Sequence, residues 1–132
     1  MAWETVPYHM GEPRLVGIHH VQLAMPPGRE GEAVAFYEGL LGLERVRKPE
    51  HLTTRGGCWF RGSGVEVHLG VEEGFRPARK AHPAFLTSGL AGLRGRLEAS
   101  GVPVSSDAEL KGFERFYVAD PFGNRIELVE AR

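Results

Sequence analysis

Arg115-Phe116-Tyr117-Val118-Ala119-Asp120-Pro121-Phe122-Gly123-Asn124-Arg125-Ile126-Glu127-Leu128 reads as strand, tight turn, strand. Asp-Pro-Phe-Gly suits a type I turn, with Asp at the first position, Pro presetting φ at the second and Gly at the fourth. A strand places residues i and i+2 on the same face. Ile126 and Leu128 therefore point to a core, as do Phe116 and Val118 before the turn. Glu127 points the other way, together with Arg115, Tyr117, Arg125 and Val129. A lone Glu in that position is ordinarily a solvent-facing side chain, so its meaning depends on the rest of the chain.

The 132 residues suit one compact domain able to bury a core without covalent staples. Sixteen basic and 17 acidic residues give a formal net charge of -1, and no basic arm or helix points to nucleic acid. The single cysteine, Cys58, excludes an internal disulfide framework and fits a reducing compartment. The N-terminal residues show no signal-peptide pattern, and no apolar run approaches the roughly 20 residues that span a bilayer. The expectation is a cytoplasmic protein that binds neither membrane nor nucleic acid. With 18 glycines and 9 prolines, short strands joined by turns are favoured over a helical bundle.

Working outward from the hairpin, the pattern repeats. Residues 1–14 read as an extended leader. Leu15 to Met25 reads as a strand, Arg29 to Leu41 as a helix with Ala33, Phe36, Tyr37 and Leu40 on one face, and Gly42 as its left-handed end. Leu43 to Lys48 is a short strand and residues 49–56 a loop. Gly57 to Arg61 and Val65 to Leu69 are strands joined by Gly62-Ser63-Gly64. After a linker at 71–80 the order restarts. Ala81 to Thr87 is a strand, Leu90 to Ser100 a helix capped by Ser88 and ended by Gly101, and Val102 to Val104 a strand before the final hairpin. The fold class is α+β: two tandem βαβββ modules, 15–70 and 81–130, in a single domain over 15–132. Helices lie outside, and the curved sheets form a partly closed cup.

Four N/O donors occupy equivalent places in the two modules. His20 and His82 lie in the first strands, and His68 and Glu127 in the last. Alternation puts all four on the cup side, where imidazoles and one carboxylate suit a divalent Zn, Ni, Fe or Mn ion. Any one strand histidine is more often structural; the joint placement carries the metal reading. His68 is open as a ligand or as a nearby base. Tyr117 and Arg115 share the Glu127 face as catalytic candidates, with Tyr117 equally able to serve in packing. One of Trp59 and Phe60 lines the cup. Arg76, Arg79 and Lys80 form either a solvated basic loop or a clamp for an anionic substrate. His9, His51 and Cys58 receive no role.

The motifs Ile18-His19-His20-Val21-Gln22-Leu23, Phe36-Tyr37-Glu38-Gly39-Leu40-Leu41-Gly42-Leu43, Val65-Glu66-Val67-His68-Leu69, His82-Pro83-Ala84-Phe85 and Asp120-Pro121-Phe122-Gly123-Asn124-Arg125-Ile126-Glu127 resemble the vicinal oxygen chelate superfamily over roughly residues 15–130. That superfamily includes glyoxalase I, bleomycin-resistance and fosfomycin-resistance proteins, methylmalonyl-CoA epimerases and extradiol dioxygenases. The resemblance implies paired βαβββ modules and a metal held by His20, His68, His82 and Glu127. It implies chelation of vicinal oxygens of a small substrate, with stabilisation of an enolate or oxyanion in lyase, isomerase, transferase or dioxygenase chemistry. It also implies a homodimer, in some members with the site shared by module exchange about the 71–80 linker. Glyoxalase I members usually carry Glu, and epimerases Gln, where this chain has His68. The trio His20, His82 and Glu127 resembles the two-His-one-carboxylate set of the dioxygenase and fosfomycin branches. A metal-free, ligand-sequestering protein of the bleomycin-resistance type is the alternative.

Overall fold

The computed structural model describes residues 11–132, so most of the expected leader, and His9, lie outside the described residues. The element order is β1 (Val21–Met25), α1 (Glu30–Val34), a π-helical continuation (Ala35–Leu40), β2 (Glu44–Val46), a 3-10 turn (Glu50–Arg55), β3 (Cys58–Gly62), β4 (Val65–Val71), β5 (Ala84–Leu86), α2 (Leu90–Ala99), β6 (Phe113–Ala119) and β7 (Arg125–Ala131). They make a four-stranded sheet in the order β1-β4-β3-β2 and a three-stranded sheet in the order β5-β7-β6. In each, the first strand runs parallel to the last (β1 to β4, β5 to β7) and the remaining pairings are antiparallel. The architecture is α+β with two sheets that do not close into a barrel.

The first module has the expected βαβββ order and the second is one strand short. Val102 to Val104 forms no strand; a single bridge joins Ser105 to Tyr117 instead, through Ser105 N to Tyr117 O at 2.9 Å and Tyr117 N to Ser105 O at 2.8 Å. Pro103 has no N–H to donate, which stops a ladder from extending along that segment. The first strand is also shorter than the apolar run suggests. Its ladder with β4 begins at Val21 opposite Val67, and residues 11–20 lie exposed outside any strand. β5 likewise begins at Ala84, leaving His82 just ahead of it.

The helices differ in their ends. α1 passes into a π-helical turn that buries the consecutive residues Phe36 and Tyr37, and Gly42 follows at φ 78°, as expected for its left-handed role. α2 is not capped by Ser88. Its N-cap is Gly89, and the Glu130 carboxylate reaches from β7 to accept from Gly89 N at 2.9 Å and Leu90 N at 3.1 Å. A remote acid thus takes over the duty of a local cap and also suits the positive end of the helix dipole.

Strand alternation sends one face of each sheet to the helices. Phe60, Val67 and Leu69 of the first sheet and Phe116, Ile126 and Leu128 of the second are buried with Met25, Phe36, Tyr37 and Leu97 in one continuous core. Each such side chain contributes roughly 1.5–3 kcal/mol by leaving water.

The final hairpin is tied into this core through Asp120. Its Oδ1 accepts from Phe122 N and Asn124 N, both at 2.9 Å. Its Oδ2 accepts from Tyr37 Oη at 2.7 Å and Asn124 Nδ2 at 2.8 Å. Asn124 Nδ2 also donates to Ala24 O of β1 at 2.8 Å. The turn has the expected hydrogen bond from Gly123 N to Asp120 O, 3.0 Å, with Gly123 at φ 93°.

Replacing Asp120 with Ala takes the acceptor from the Tyr37 hydroxyl, the Phe122 and Asn124 backbone N–H groups and one Asn124 side-chain N–H, and is expected to lower unfolding free energy by about 2–4 kcal/mol in urea titrations. Burial, then the neighbouring Asp120 charge, holds the Tyr37 phenol pKa well above 10.0. The unfolded chain ionises first, so this group's contribution is intact below pH 10 and is lost as pH rises beyond it. Tyr37→Phe is expected to reduce the alkaline fall in stability, measured by thermal melts from pH 8 to 11.

Candidate metal centre

The register defines the site face. In the first sheet Gln22, His68 and Trp59 lie in one row, and Arg61 pairs with Glu66 two residues further along. In the second sheet Ala84, Glu127 and Tyr117 lie in one row. Of Trp59 and Phe60, Phe60 is wholly buried in the core and the indole takes the site face, stacked on His68 at 3.9 Å between ring centroids and 3° between planes.

His68 and Glu127 are nearly buried, at 4% and 5% exposure. A buried ionisable group needs partners, and each has them. His68 Nε2 lies 2.8 Å from Glu66 Oε2, and Glu66 also receives Arg61 Nε at 3.0 Å. Burial lowers the His68 pKa, and although Glu66 opposes that shift the net direction stays downward. The neutral ring donates through Nε2 to the carboxylate, so its lone pair is at Nδ1. His20 stacks on His68 at 4.1 Å. His19 meets His20 edge-on, with the two Nδ1 atoms 2.9 Å apart. His20 is thus the residue turned onto His68, and His19 is the side chain that orients it. If His20 is the donor of that pair, its Nε2 carries the free lone pair.

The second pair is His82 and Glu127, with His82 Nε2 2.9 Å from Glu127 Oε1. His82 Nδ1 lies 2.7 Å from Lys80 O. A carbonyl oxygen only accepts, so Nδ1 carries the proton and Nε2 faces the carboxylate with its lone pair unless it is protonated too. Nitrogen and oxygen at this spacing need a cation between them, either a proton or a metal ion. Two ligands about 2.1 Å from one ion and at right angles to each other stand about 3 Å apart, so the donor chemistry fits a divalent ion.

Arg115 and Tyr117 lie where alternation puts them. Arg115 Nη1 reaches Tyr117 Oη at 3.1 Å and Glu127 Oε2 at 3.4 Å, and Nη2 is anchored on Ala108 O at 2.6 Å. The Arg125 guanidinium lies over the Tyr117 ring, 4.1 Å from its centroid. Burial alone would raise the Glu127 pKa, but hydrogen bonds from His82, Tyr117 and Arg115 outweigh it and keep the carboxyl below its usual range. The Tyr117 hydroxyl moves upward because it is buried beside that carboxylate. Arg115 Nε is the one buried side-chain N or O atom, among the described residues, without a hydrogen-bond partner.

The structure therefore groups the four candidates as two pairs, His20 with His68 and His82 with Glu127. Among the described residues, no three His, Cys, Asp or Glu side chains converge closely enough to hold one ion. A cavity of about 620 Å³ lies between the modules, with His20, Arg61 and Glu66 on one side and Pro83, Ala84 and Leu86 on the other. The linker's Arg76, Arg79 and Lys80 are exposed, and the linker contributes a backbone carbonyl to His82. The partners of His68 and His20, Glu66 and His19, received no role from the sequence. Glu66 was findable, since a residue two positions from His68 on a strand must share its face.

Trp59 and His20 cover both faces of the His68 ring. Diethyl pyrocarbonate is expected to modify His68 far more slowly than His51, and Trp59→Ala to remove that protection, as read by peptide mapping.

Comparison with known proteins bears on the whole arrangement. The sequence profile of the Glyoxalase/Bleomycin resistance protein/Dioxygenase superfamily matches residues 17–128. A glyoxalase family protein from Bacillus anthracis is 46% identical, with 92% of this chain and 99% of that one aligned at a TM-score of 0.87. Two more distant structures share the fold alone. A glyoxalase/dioxygenase from Nostoc punctiforme has 19% identity, 97% and 99% coverage and a TM-score of 0.75. The fosfomycin resistance protein FosX from Listeria monocytogenes has 16% identity, 90% and 96% coverage and a TM-score of 0.71. Comparison with curated proteins gives no match. No helix among the described residues is long and apolar enough to cross a membrane.

Proposed function

Because the chain belongs to the Glyoxalase/Bleomycin resistance protein/Dioxygenase superfamily, we propose that it is a divalent-metal-dependent enzyme acting on a small substrate with two adjacent oxygens. The observation that carries this reading is the His82–Glu127 contact. With His82 Nδ1 held by Lys80 O, its Nε2 and a carboxylate oxygen face each other at 2.9 Å, a gap that a proton or a divalent ion fills. His82 and Glu127 would hold the ion from module two, and His20 with His68 from module one. Bound there, a divalent cation supplies Lewis acidity toward vicinal oxygens.

The chain's own groups have separable duties. Arg115 and Tyr117 fix the Glu127 carboxylate through the contacts described above, and burial keeps bulk water from it. Arg115 Nε, buried and without a protein acceptor among the described residues, is the donor left over once Nη1 and Nη2 are engaged on Tyr117, Glu127 and Ala108. His68 takes part through Nδ1, as a ligand or as a proton acceptor, with Glu66 fixing its tautomer from the other nitrogen.

Since one chain presents the candidates as two pairs, the complete set is proposed to form in a homodimer, with module one of one copy facing module two of the other. The exposed apolar residues Leu15, Val16, Ile18 and Leu86, each at least 79% accessible, supply surface that a second copy would cover.

Protein purified without chelator is expected to contain a stoichiometric first-row divalent metal by elemental analysis, and Glu127→Ala and His82→Ala to lose it. Metal-free wild type whose melting temperature is the same with and without chelator would falsify the reading and favour the ligand-sequestering alternative. For the shared site, His20→Ala and Glu127→Ala chains are expected to regain metal when unfolded and refolded together but not separately. Failure to regain it would assign all the ligands to one chain.

A further inference from the structure

A second, smaller cavity opens on the same face of the first sheet, beside His68. It has a volume of about 250 Å³, and its walls include Gln22, Lys48, Leu52, Arg55, Trp59 and Gly70. It adjoins the candidate metal centre directly, because Trp59 is stacked on His68 and Gln22 is the register partner of His68 on β1.

The chemistry of this cavity is one-sided. Among the described residues, Lys48 and Arg55 are its only charged walls, and no carboxylate lines it. Neither cation forms an ion pair with a described residue. Glu30, close by on α1, is turned to the Gly57 N–H at 2.9 Å. Lys48 Nζ is steadied by a hydrogen bond to Gly56 O, which uses one of three donors and points the remainder elsewhere. Gly70 keeps the wall open, since a Cβ there would stand 2.7 Å from Gln22 Nε2. An amide, an ammonium, a guanidinium and an indole thus surround a space lined by no anion among the described residues.

We propose that the cavity bounded by Gln22, Lys48, Arg55 and Trp59 is a subsite for a substrate carboxylate carried on a flat, unsaturated carbon frame. The Arg55 fork matches the two oxygens of a carboxylate, Lys48 adds a second positive charge, and the indole offers a face to the attached planar group. A volume of about 250 Å³ is below the roughly 300–1,000 Å³ of a whole-ligand pocket, so the cavity takes one end of the molecule. The other end lies toward His68 and the vicinal-oxygen chemistry proposed above. The inference rests on that reading only in calling the occupant a substrate.

The test uses full-length protein stripped of metal by chelator, so that metal chemistry is not involved. Benzoate and its neutral counterpart benzamide are titrated while the Trp59 indole N–H is followed by NMR, with phenylphosphonate as a third probe. Benzoate is expected to shift the Trp59 signal saturably and to lose affinity as salt rises, and benzamide to leave it unmoved. Lys48→Met with Arg55→Gln is expected to weaken benzoate at least tenfold, with melting temperature and metal content of the untreated protein unchanged. Equal benzoate affinity in wild type and double variant would overturn the subsite. So would a Trp59 response to benzamide as large as that to benzoate. Tighter binding of phenylphosphonate than benzoate would overturn the carboxylate assignment in favour of a phosphate-type ligand. If the protein proves metal-free by elemental analysis, the benzoate titration still decides the subsite.

Discussion

The carboxylate of Asp120 is the contact on which the rest of this structure depends. A buried charge is costly unless its lone pairs are met, and this one accepts four hydrogen bonds, two from backbone amides in its own turn, one from Asn124 and one from Tyr37. The turn bonds set the geometry of the β6–β7 hairpin. The Tyr37 bond reaches the helix of the first module, and Asn124 extends the connection to the β1 backbone at Ala24. One side chain therefore closes the last turn and joins the two modules. Glu127 begins three residues beyond Asn124, so its place on the site face follows from that anchor.

The site shows how partners change the meaning of a residue type. Glu127 is nearly buried, and it stays ionised because His82, Tyr117 and Arg115 all present donors to it. His82 is turned to Glu127 by the Lys80 carbonyl at its far nitrogen. His68 is placed by an indole on its face and a carboxylate at Nε2. In both halves a second group holds the far side of an imidazole and leaves the near side for chemistry, the arrangement by which supporting residues set ligand tautomers. The superfamily match says which fold carries these pairs; the hydrogen bonds say what each nitrogen is prepared to do.

Much of the fold was legible because the governing signals are local. Period-two alternation identified β4, β6 and β7 and the sides of their residues, the Asp-Pro-Phe-Gly turn formed with its expected hydrogen bond, and Gly42 and Gly101 both take the positive φ that helix ends favour. The misreadings share a cause. Leu15 to His20 has strand-like composition but no strand among the described residues to pair with. Val102 to Val104 has β-branched residues but also Pro103, and only one bridge forms. Ser88 is a good cap by type, yet Glu130, 40 residues beyond Leu90 in sequence, does the capping.

By itself the sequence determined which residues could share a face, because alternation along a strand is a property of the backbone. It placed His68 with Glu66, and Glu127 with Tyr117 and Arg115, and put His20 and His82 at equivalent points of a repeat. Only the tertiary structure decided which of those residues touch. It separated the four candidates into two pairs and chose Trp59 over Phe60 for the site face. Those choices depend on strand register, on sheet-to-sheet placement and on hydrogen bonds such as Tyr37 to Asp120, which join residues 83 positions apart and leave no trace in local periodicity.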